Sequence, residues 1–129
     1  GNHVYENAKH GICFRIKTEA NGAHRNVLRA NTIENNGRPW REVPERFHEF
    51  ERAELLYAGI FITGNKHDVM LEGNIIRETR AGDQRLQVNA VYLAPGVSGV
   101  SMVDNIMEGH PRSAVVDDSG ADNNRLPGS

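Results

Sequence analysis

Four segments of this chain of 129 residues share a short motif with asparagine at its second position. Each copy has a small or polar residue, then asparagine, then any residue, then an apolar one: Gly1-Asn2-His3-Val4, Ala30-Asn31-Thr32-Ile33, Gly73-Asn74-Ile75-Ile76 and Asp104-Asn105-Ile106-Met107. Glycine and asparagine both tolerate the left-handed backbone of a tight corner. Side-chain amides at equivalent corners can hydrogen-bond along a stack, as asparagine ladders do in stacked sheets. The motif therefore predicts a chain that turns repeatedly at equivalent corners.

Two strand-like motifs alternate with these corners. One is a small residue followed by apolar residues in a period-2 run, as in Gly11-Ile12-Cys13-Phe14, Gly59-Ile60-Phe61-Ile62, Ala90-Val91-Tyr92-Leu93 and Ala114-Val115-Val116. This alternation is typical of a strand with one buried face. The other stands just before the later corners, as Val27-Leu28-Arg29, Val69-Met70-Leu71 and Val100-Ser101-Met102. Each repeat unit is thus predicted to hold three short strands and three corners.

The spacing of the motifs favours a stacked repeat over a set of hairpins. Ten residues separate Asn2 from Ile12, fourteen separate Ile60 from Asn74, and both spacings recur in later copies. Together they give a minimal repeat of 24 residues, interrupted by insertions of 5, 19 and 7. A meander or sandwich of hairpins would need two-residue turns and no fixed period. We therefore predict an all-β parallel solenoid, whose successive turns pair and bury one continuous core.

These motifs resemble the right-handed parallel β-helix family, the pectate-lyase-like superfold, over residues 1–120. The matching pieces are the Gly-Ile-x-Ile strand, the Val-x-Leu strand, the Gly/Ala-Asn corner and the isoleucine after it. We expect three to four rungs, one inserted helix or loop near 38–57, and a disordered polar tail over 121–129. Family members have more rungs and a capping helix, whereas Gly1 begins within a rung. We therefore expect either missing N-terminal rungs of a longer solenoid or end-to-end self-association.

Composition argues against several classes of function. The chain has 15 basic and 17 acidic residues, so its net charge of −2 is too small for nucleic-acid or anionic-membrane binding driven by bulk charge. It has no run of about 18 apolar residues, so we expect no membrane span. Its one cysteine, Cys13, excludes an internal disulfide framework and any metal site built from several cysteines.

The resemblance implies a secreted or periplasmic module that binds or processes carbohydrate, and that could be part of a polysaccharide lyase, epimerase or hydrolase. In the family, the first strand of each rung and the loop leading into it line a sugar-binding groove. Strand alternation places Phe61 and Tyr92 on the outward face of those strands, on adjacent rungs. We expect them to bind a polysaccharide, together with Arg41 from the insertion.

The candidate catalytic residues are basic side chains expected near the same face. A lyase acting on a uronic acid needs a base for the C5 proton and a group that neutralises the carboxylate. The candidates for these roles are Arg15, His48, Arg80 and Arg85. Asp117 and Asp118 are the candidate ligands for Ca²⁺, and we expect no required cofactor. A hydrolase would instead need two opposed carboxylates.

A non-catalytic solenoid is the alternative, acting as a structural or adhesin-like secreted protein. The short array and the generic repeats favour it, because repeats of this kind encode stacking rather than chemistry. No candidate residue stands at a spacing specific to a catalytic family. The sequence therefore leaves open whether the chain is an enzyme.

Overall fold

A computed structural model of the chain describes residues 2–5, 10–14, 26–37, 57–63 and 68–126. These ranges contain eleven short strands, β1 (His3–Tyr5), β2 (Ile12–Phe14), β3 (Val27–Arg29), β4 (Thr32–Glu34), β5 (Ala58–Ile62), β6 (Met70–Glu72), β7 (Ile75–Arg77), β8 (Asn89–Leu93), β9 (Ser101–Val103), β10 (Ile106–Glu108) and β11 (Ser113–Asp117). A single 3₁₀ turn, Gly82–Gln84, lies between β7 and β8. The described residues are thus nearly all-β, and they include no helix with the length and apolar character to cross a membrane.

The strands form three parallel sheets, which the chain visits in rotation. The first sheet has the order β1-β4-β7-β10, the second has β2-β5-β8-β11, and the third has β3-β6-β9. Each paired strand therefore lies beside the strand three places further along the chain, in parallel. Hairpins would make sequential neighbours antiparallel, so the predicted all-β class with parallel pairing is confirmed. The arrangement is compatible with a β-helix-like fold.

The four motif asparagines form a continuous hydrogen-bonded ladder, as the sequence predicts. The backbone and side-chain nitrogens of Asn2 donate to the side-chain oxygen of Asn31 over 3.0 and 3.2 Å. Asn31 donates to Asn74 in the same way, over 3.0 and 3.1 Å, and Asn74 donates to Asn105 over 2.9 and 3.0 Å. Every carboxamide oxygen after the first therefore accepts two bonds from the turn before it, which fixes the register of successive turns.

The residues before the three later ladder asparagines have the left-handed backbone that the motif predicts. The φ angles are 57° at Ala30, 63° at Gly73 and 55° at Asp104. A side chain at such a φ angle is strained, so small and short polar residues suit the position.

Strand alternation divides each sheet into an inward and an outward row. In the first sheet, Val4, Ile33, Ile76 and Met107 are in register and pack in the core. In the second sheet the buried inward residues are Ile60, Ile62, Val91 and Leu93, with Ile12 partly buried beside them. Phe61, Tyr92 and Val116 belong to a separate outward cluster with Ala58 and Ala94. The predicted outward position of Phe61 and Tyr92 is therefore correct.

Two of the small residues that precede the apolar runs of the second sheet, Gly11 and Gly59, are explained by close packing against the first sheet. A Cβ atom on Gly59 would lie 2.5 Å from Cγ2 of Ile76, and one on Gly11 would lie 2.6 Å from Cγ2 of Ile33. Real Cβ atoms do not approach neighbours so closely, and overpacking a core is destabilising. Glycine at these two positions lets the sheets meet at the corner.

The described part of the predicted tail lies against the third sheet. Arg125 pairs in parallel with Ser101, and its backbone donates to Val100 O over 2.6 Å and accepts from Met102 N over 2.9 Å. Leu126 packs against the core. Residues 127–129 lie outside the described residues, as does the predicted insertion near 38–57 apart from Tyr57.

The ladder makes a prediction about stability. Asn74 is fully buried and bonded on both sides, and its amide also donates to Leu28 O over 3.0 Å. Asn74→Ala leaves buried donors without acceptors, so we expect it to lower the free energy of unfolding by about 3 kcal/mol. Asn2→Ala is the matched control, because Asn2 is exposed and its side chain, within the described ranges, forms hydrogen bonds only as a donor; we expect a loss below about 1 kcal/mol. Urea unfolding measures both, and equal losses would contradict a central role for Asn74.

Candidate functional site

An aromatic row crosses the outward face of the second sheet. The rings of Phe61 and Tyr92 are stacked with centroids 4.9 Å apart and planes 12° apart, because their Cα atoms are paired in β5 and β8. His10 stacks on the other side of Phe61, at 4.2 Å and 23°. Stacked aromatic pairs stabilise a fold beyond the area that they bury. The structure therefore brings together the two aromatic residues that the sequence predicts, and adds His10.

Both the ring and the hydroxyl group of Tyr92 contact neighbouring side chains. It is 6% exposed, and its hydroxyl donates to Oδ2 of Asp118 over 2.8 Å. Burial, followed by the hydrogen bond to Asp118, raises the pKa of Tyr92 to about 12. Tyr92 is therefore a neutral donor at physiological pH. Its ring face contacts Phe61, so a bound sugar would meet the partly exposed Phe61 and the exposed Asp118.

The two predicted calcium ligands have different partners. Asp118 accepts the Tyr92 hydroxyl, whereas Asp117 accepts hydrogen bonds from the backbone and the hydroxyl of Ser119. Burial acts to raise the pKa of Asp117, but hydrogen bonds from Ser119 and Asn124 outweigh it and lower that pKa. The described residues contain no group of three or more histidine, cysteine or acidic side chains that could hold a metal ion. Calcium binding at Asp117 and Asp118 stays a prediction.

Arg80, a predicted catalytic residue, is held in a polar cluster at the corner that follows the first sheet. Its guanidinium donates to both carboxylate oxygens of Glu78, with a shortest contact of 2.7 Å, and to the backbone oxygens of Asn36 and Gly37. The Glu78 side chain is fully buried and that of Arg80 is 24% exposed. A buried carboxylate needs such a partner, since an unpaired charge in the interior is costly. The contacts of Arg80 are those of a structural ion pair.

The remaining candidates are not brought to this cluster by any described contact. Arg85 is exposed, directly after the 3₁₀ turn, and its guanidinium makes a long hydrogen bond of 3.4 Å to Gly82 O. Arg15, Arg41 and His48 lie outside the described residues. The catalytic and substrate-binding roles given to these residues stay predictions.

A column of polar side chains continues this cluster through three turns, and sequence reasoning missed it. The side-chain oxygen of Gln87 accepts from the backbone and side-chain nitrogens of Asn36, over 3.1 and 2.8 Å. Its amide nitrogen lies 3.0 Å from Nε2 of His110. The available signal was the polar residue at the corner after each first-sheet strand, namely Asn36, Glu78 and His110.

His110 is held neutral at the end of this column. An amide nitrogen only donates, so Nε2 of His110 accepts and the ring proton lies on Nδ1. Nδ1 is buried and has no hydrogen-bond partner among the described residues. Burial lowers the pKa of His110 to about 4. Protonation would therefore place a second donor against Gln87, which Asn36 holds in its present orientation.

Comparison of the chain with family models, with curated proteins and with solved structures finds no match. The geometry of the described residues therefore carries the functional argument.

The Arg80 cluster predicts unequal roles for two arginines that the sequence treats alike. Arg80→Ala leaves the Glu78 carboxylate buried without its cation, so we expect a loss of about 3 kcal/mol in the free energy of unfolding. Arg85→Ala removes an exposed side chain, and we expect a change within about 0.5 kcal/mol. Chemical denaturation of the two variants measures the difference. Similar stability of both variants would show that Arg80 has no special structural role.

His110 predicts that the fold loses stability in mild acid. The unfolded histidine binds a proton near pH 6.5 and the folded one near pH 4, so the free energy of unfolding falls as pH drops between these values. The full loss is at most about 3 kcal/mol. The carboxyl group of Glu34, whose pKa is lowered from its ordinary value of 4.5, adds to this slope at the acid end of the range, so the contribution of His110 is measured as a difference from a variant. Urea unfolding at several pH values should give a flatter profile for His110→Gln, whereas an unchanged slope would contradict the assignment.

Proposed function

We propose that this chain is a carbohydrate-binding module built as a right-handed parallel β-helix of the pectate-lyase-like type. The rotation of the chain through three parallel sheets, with an asparagine ladder at one corner, supports the fold. The proposed binding surface is the outward face of the second sheet around Phe61, Tyr92 and Asp118. A secreted or periplasmic location is part of the same proposal.

The observation that carries this proposal is the aromatic row that ends at a hydrogen-bonded carboxylate. A sugar ring has an apolar C–H face and hydroxyl groups that need partners when they leave water. The Phe61 ring is stacked between Tyr92 and His10, so its partly exposed edge offers the apolar contact. Asp118 is exposed and has acceptor capacity beyond its bond from Tyr92. Arg112 lies close enough to act on the pKa of Tyr92, so a cation also stands near this face. Such a surface suits an acidic or hydroxyl-rich polymer.

A polysaccharide lyase, epimerase or hydrolase is a narrower form of this proposal. A lyase or epimerase would need a base and a group that neutralises a uronic-acid carboxylate, whereas a hydrolase would need two opposed carboxylates. Arg80 is a poor choice for either role, because its guanidinium already neutralises Glu78. Arg85 is exposed and suits contact with an anionic polymer better than Arg80 does.

A non-catalytic structural or adhesin-like role is the second candidate, and one observation favours it. Tyr92 is 6% exposed and its ring stacks on Phe61, so the aromatic row also stabilises the pairing of β5 with β8. A purely structural row would need no ligand. The two candidates therefore differ in whether a folded chain binds any polysaccharide.

Affinity electrophoresis tests the proposal. The folded chain is run through gels cast with polygalacturonate, alginate, chondroitin sulfate or a neutral glucan, with and without Ca²⁺. We expect retardation by one polymer, and Asp118→Asn should weaken the apparent affinity about tenfold, the loss typical of one charged hydrogen bond. Asp83→Asn is the matched control, because it removes the same charge from an exposed residue on the 3₁₀ turn. Free migration of the folded chain through every gel would favour the structural role.

A further inference from the structure

An asparagine followed by glycine stands at the corner after β4. The carboxamide of Asn36 and the backbone nitrogen of Gly37 are the two groups from which such a pair forms a succinimide. Glycine has no side chain to hinder the attack and its backbone adopts many conformations, so an asparagine before glycine is unusually reactive. We propose that Asn36 is a deamidation site that the fold keeps unreactive, and that it reacts irreversibly when this corner opens.

The reaction requires movement at both residues. The Gly37 nitrogen attacks Cγ of Asn36, and a new C–N bond forms between them. The bond from Cγ to the side-chain nitrogen breaks, and that nitrogen leaves as ammonia together with the proton from Gly37. Water then opens the five-membered ring at either of its carbonyls, which gives aspartate or isoaspartate at position 36. The first step can occur only if the Asn36 side chain and the following peptide rotate toward each other.

A neighbouring turn of the chain holds the Asn36 side chain in place. Asn36 is fully buried, and its side-chain nitrogen donates to Oε1 of Gln87 over 2.8 Å. Its backbone nitrogen donates to the same oxygen over 3.1 Å. Rotation of the carboxamide toward Gly37 would break the shorter bond at a site where water does not replace it, and such a loss is costly. Gln87 therefore restrains the carbon that has to be attacked.

The peptide between Asn36 and Gly37 is restrained by separate contacts. The guanidinium of Arg80 donates to Asn36 O over 2.8 Å and to Gly37 O over 3.2 Å. Gly37 is also tightly packed, because a Cβ atom there would lie 2.8 Å from both Leu86 O and Cδ2 of Tyr57, and its φ angle is 97°. No other residue suits this position. The fold thus requires the glycine that makes Asn36 reactive, and it restrains the nitrogen of that glycine.

The product does not fit the corner. A carboxylate at position 36 cannot donate to Oε1 of Gln87, and it adds a buried charge to a cluster in which Arg80 already neutralises Glu78. Isoaspartate also lengthens the backbone by one carbon and would displace Gly37 from its tight packing. Deamidation therefore prevents the corner from forming again, and the time that the chain spends open sets how fast folded protein is lost.

Site-resolved mass spectrometry tests the protection. The folded chain and the chain in urea are incubated side by side in mildly alkaline buffer, and the deamidated fraction of each Asn-Gly peptide is followed. The sequence also holds the pair Asn21-Gly22, which gives a reference rate in urea. We expect Asn36 to react as fast as Asn21 in urea and at least about 100-fold more slowly in the folded chain, because only a rare opened state can react. Equal rates at Asn36 in the two conditions would overturn the proposal.

Arg80→Lys isolates the restraint on the peptide. Lysine keeps a cation beside Glu78 but lacks the planar fork that reaches two carbonyl oxygens. We expect Asn36 to deamidate at least about tenfold faster in this variant, the effect expected from the loss of one buried hydrogen bond. Arg29→Lys is the matched control, because Arg29 forms an exposed ion pair with Glu72 in the third sheet, and its rate should equal that of the wild type. Circular dichroism checks that both variants fold, and an unchanged rate in a folded Arg80→Lys chain would contradict the role of Arg80.

Refolding tests the irreversibility. Chain that is partly deamidated in urea is diluted into buffer, the folded and unfolded fractions are separated by size-exclusion chromatography, and the peptide that contains position 36 is analysed in each. We expect the modified peptide to be enriched at least about tenfold in the unfolded fraction, because the product leaves buried groups without partners. Equal amounts in the two fractions would show that the corner accepts the product and would overturn this part of the proposal. None of these outcomes depends on whether the chain binds carbohydrate.

Discussion

The stacked carboxamides of Asn2, Asn31, Asn74 and Asn105 are the interaction on which the remaining order of this protein depends. Each of the three later oxygens accepts from both the backbone and the side chain of the turn before it, so neighbouring turns can meet in one register only. A slip of one residue would exchange the inward and outward faces of every strand. The ladder thus fixes, at one corner, which side chains enter the core and which face outward along all three sheets.

In-register stacking has a direct consequence for chemistry. Because like positions of successive turns lie beside each other, Phe61 and Tyr92 must stack if both face outward, and the same rule aligns Asn31, Asn74 and Asn105 at the ladder corner. The fold therefore gathers similar residues into rows. The aromatic rings or amides of such a row pack against and hydrogen-bond to one another. Only the atoms that remain exposed at the edge of the row can therefore contact a ligand.

Contacts within the fold and contacts with a ligand require the same side-chain atoms, and this separates the predicted site residues into two groups. Arg80 and Tyr92 satisfy neighbouring groups of the fold: Arg80 neutralises a buried carboxylate, and the Tyr92 hydroxyl is bonded to Asp118. Asp118 and Arg85 remain exposed. A functional proposal for this chain therefore rests on the exposed edge of the aromatic row rather than on its buried polar groups.

The sequence by itself determined the repeat, the parallel pairing, the ladder at the asparagine corner and the outward position of Phe61 and Tyr92. These features depend on local spacing and strand alternation, which a single chain displays directly. Only the tertiary structure decided that Arg80 pairs with Glu78, that Gln87 joins Asn36 to His110, and that Asp117 and Asp118 bind different partners. Insertions of unequal length separate successive turns, so residues far apart in sequence become neighbours at distances that no fixed period predicts. The turn stacked above or below a side chain supplies its partner. That partner decides the charge of the side chain and whether it is available to a ligand.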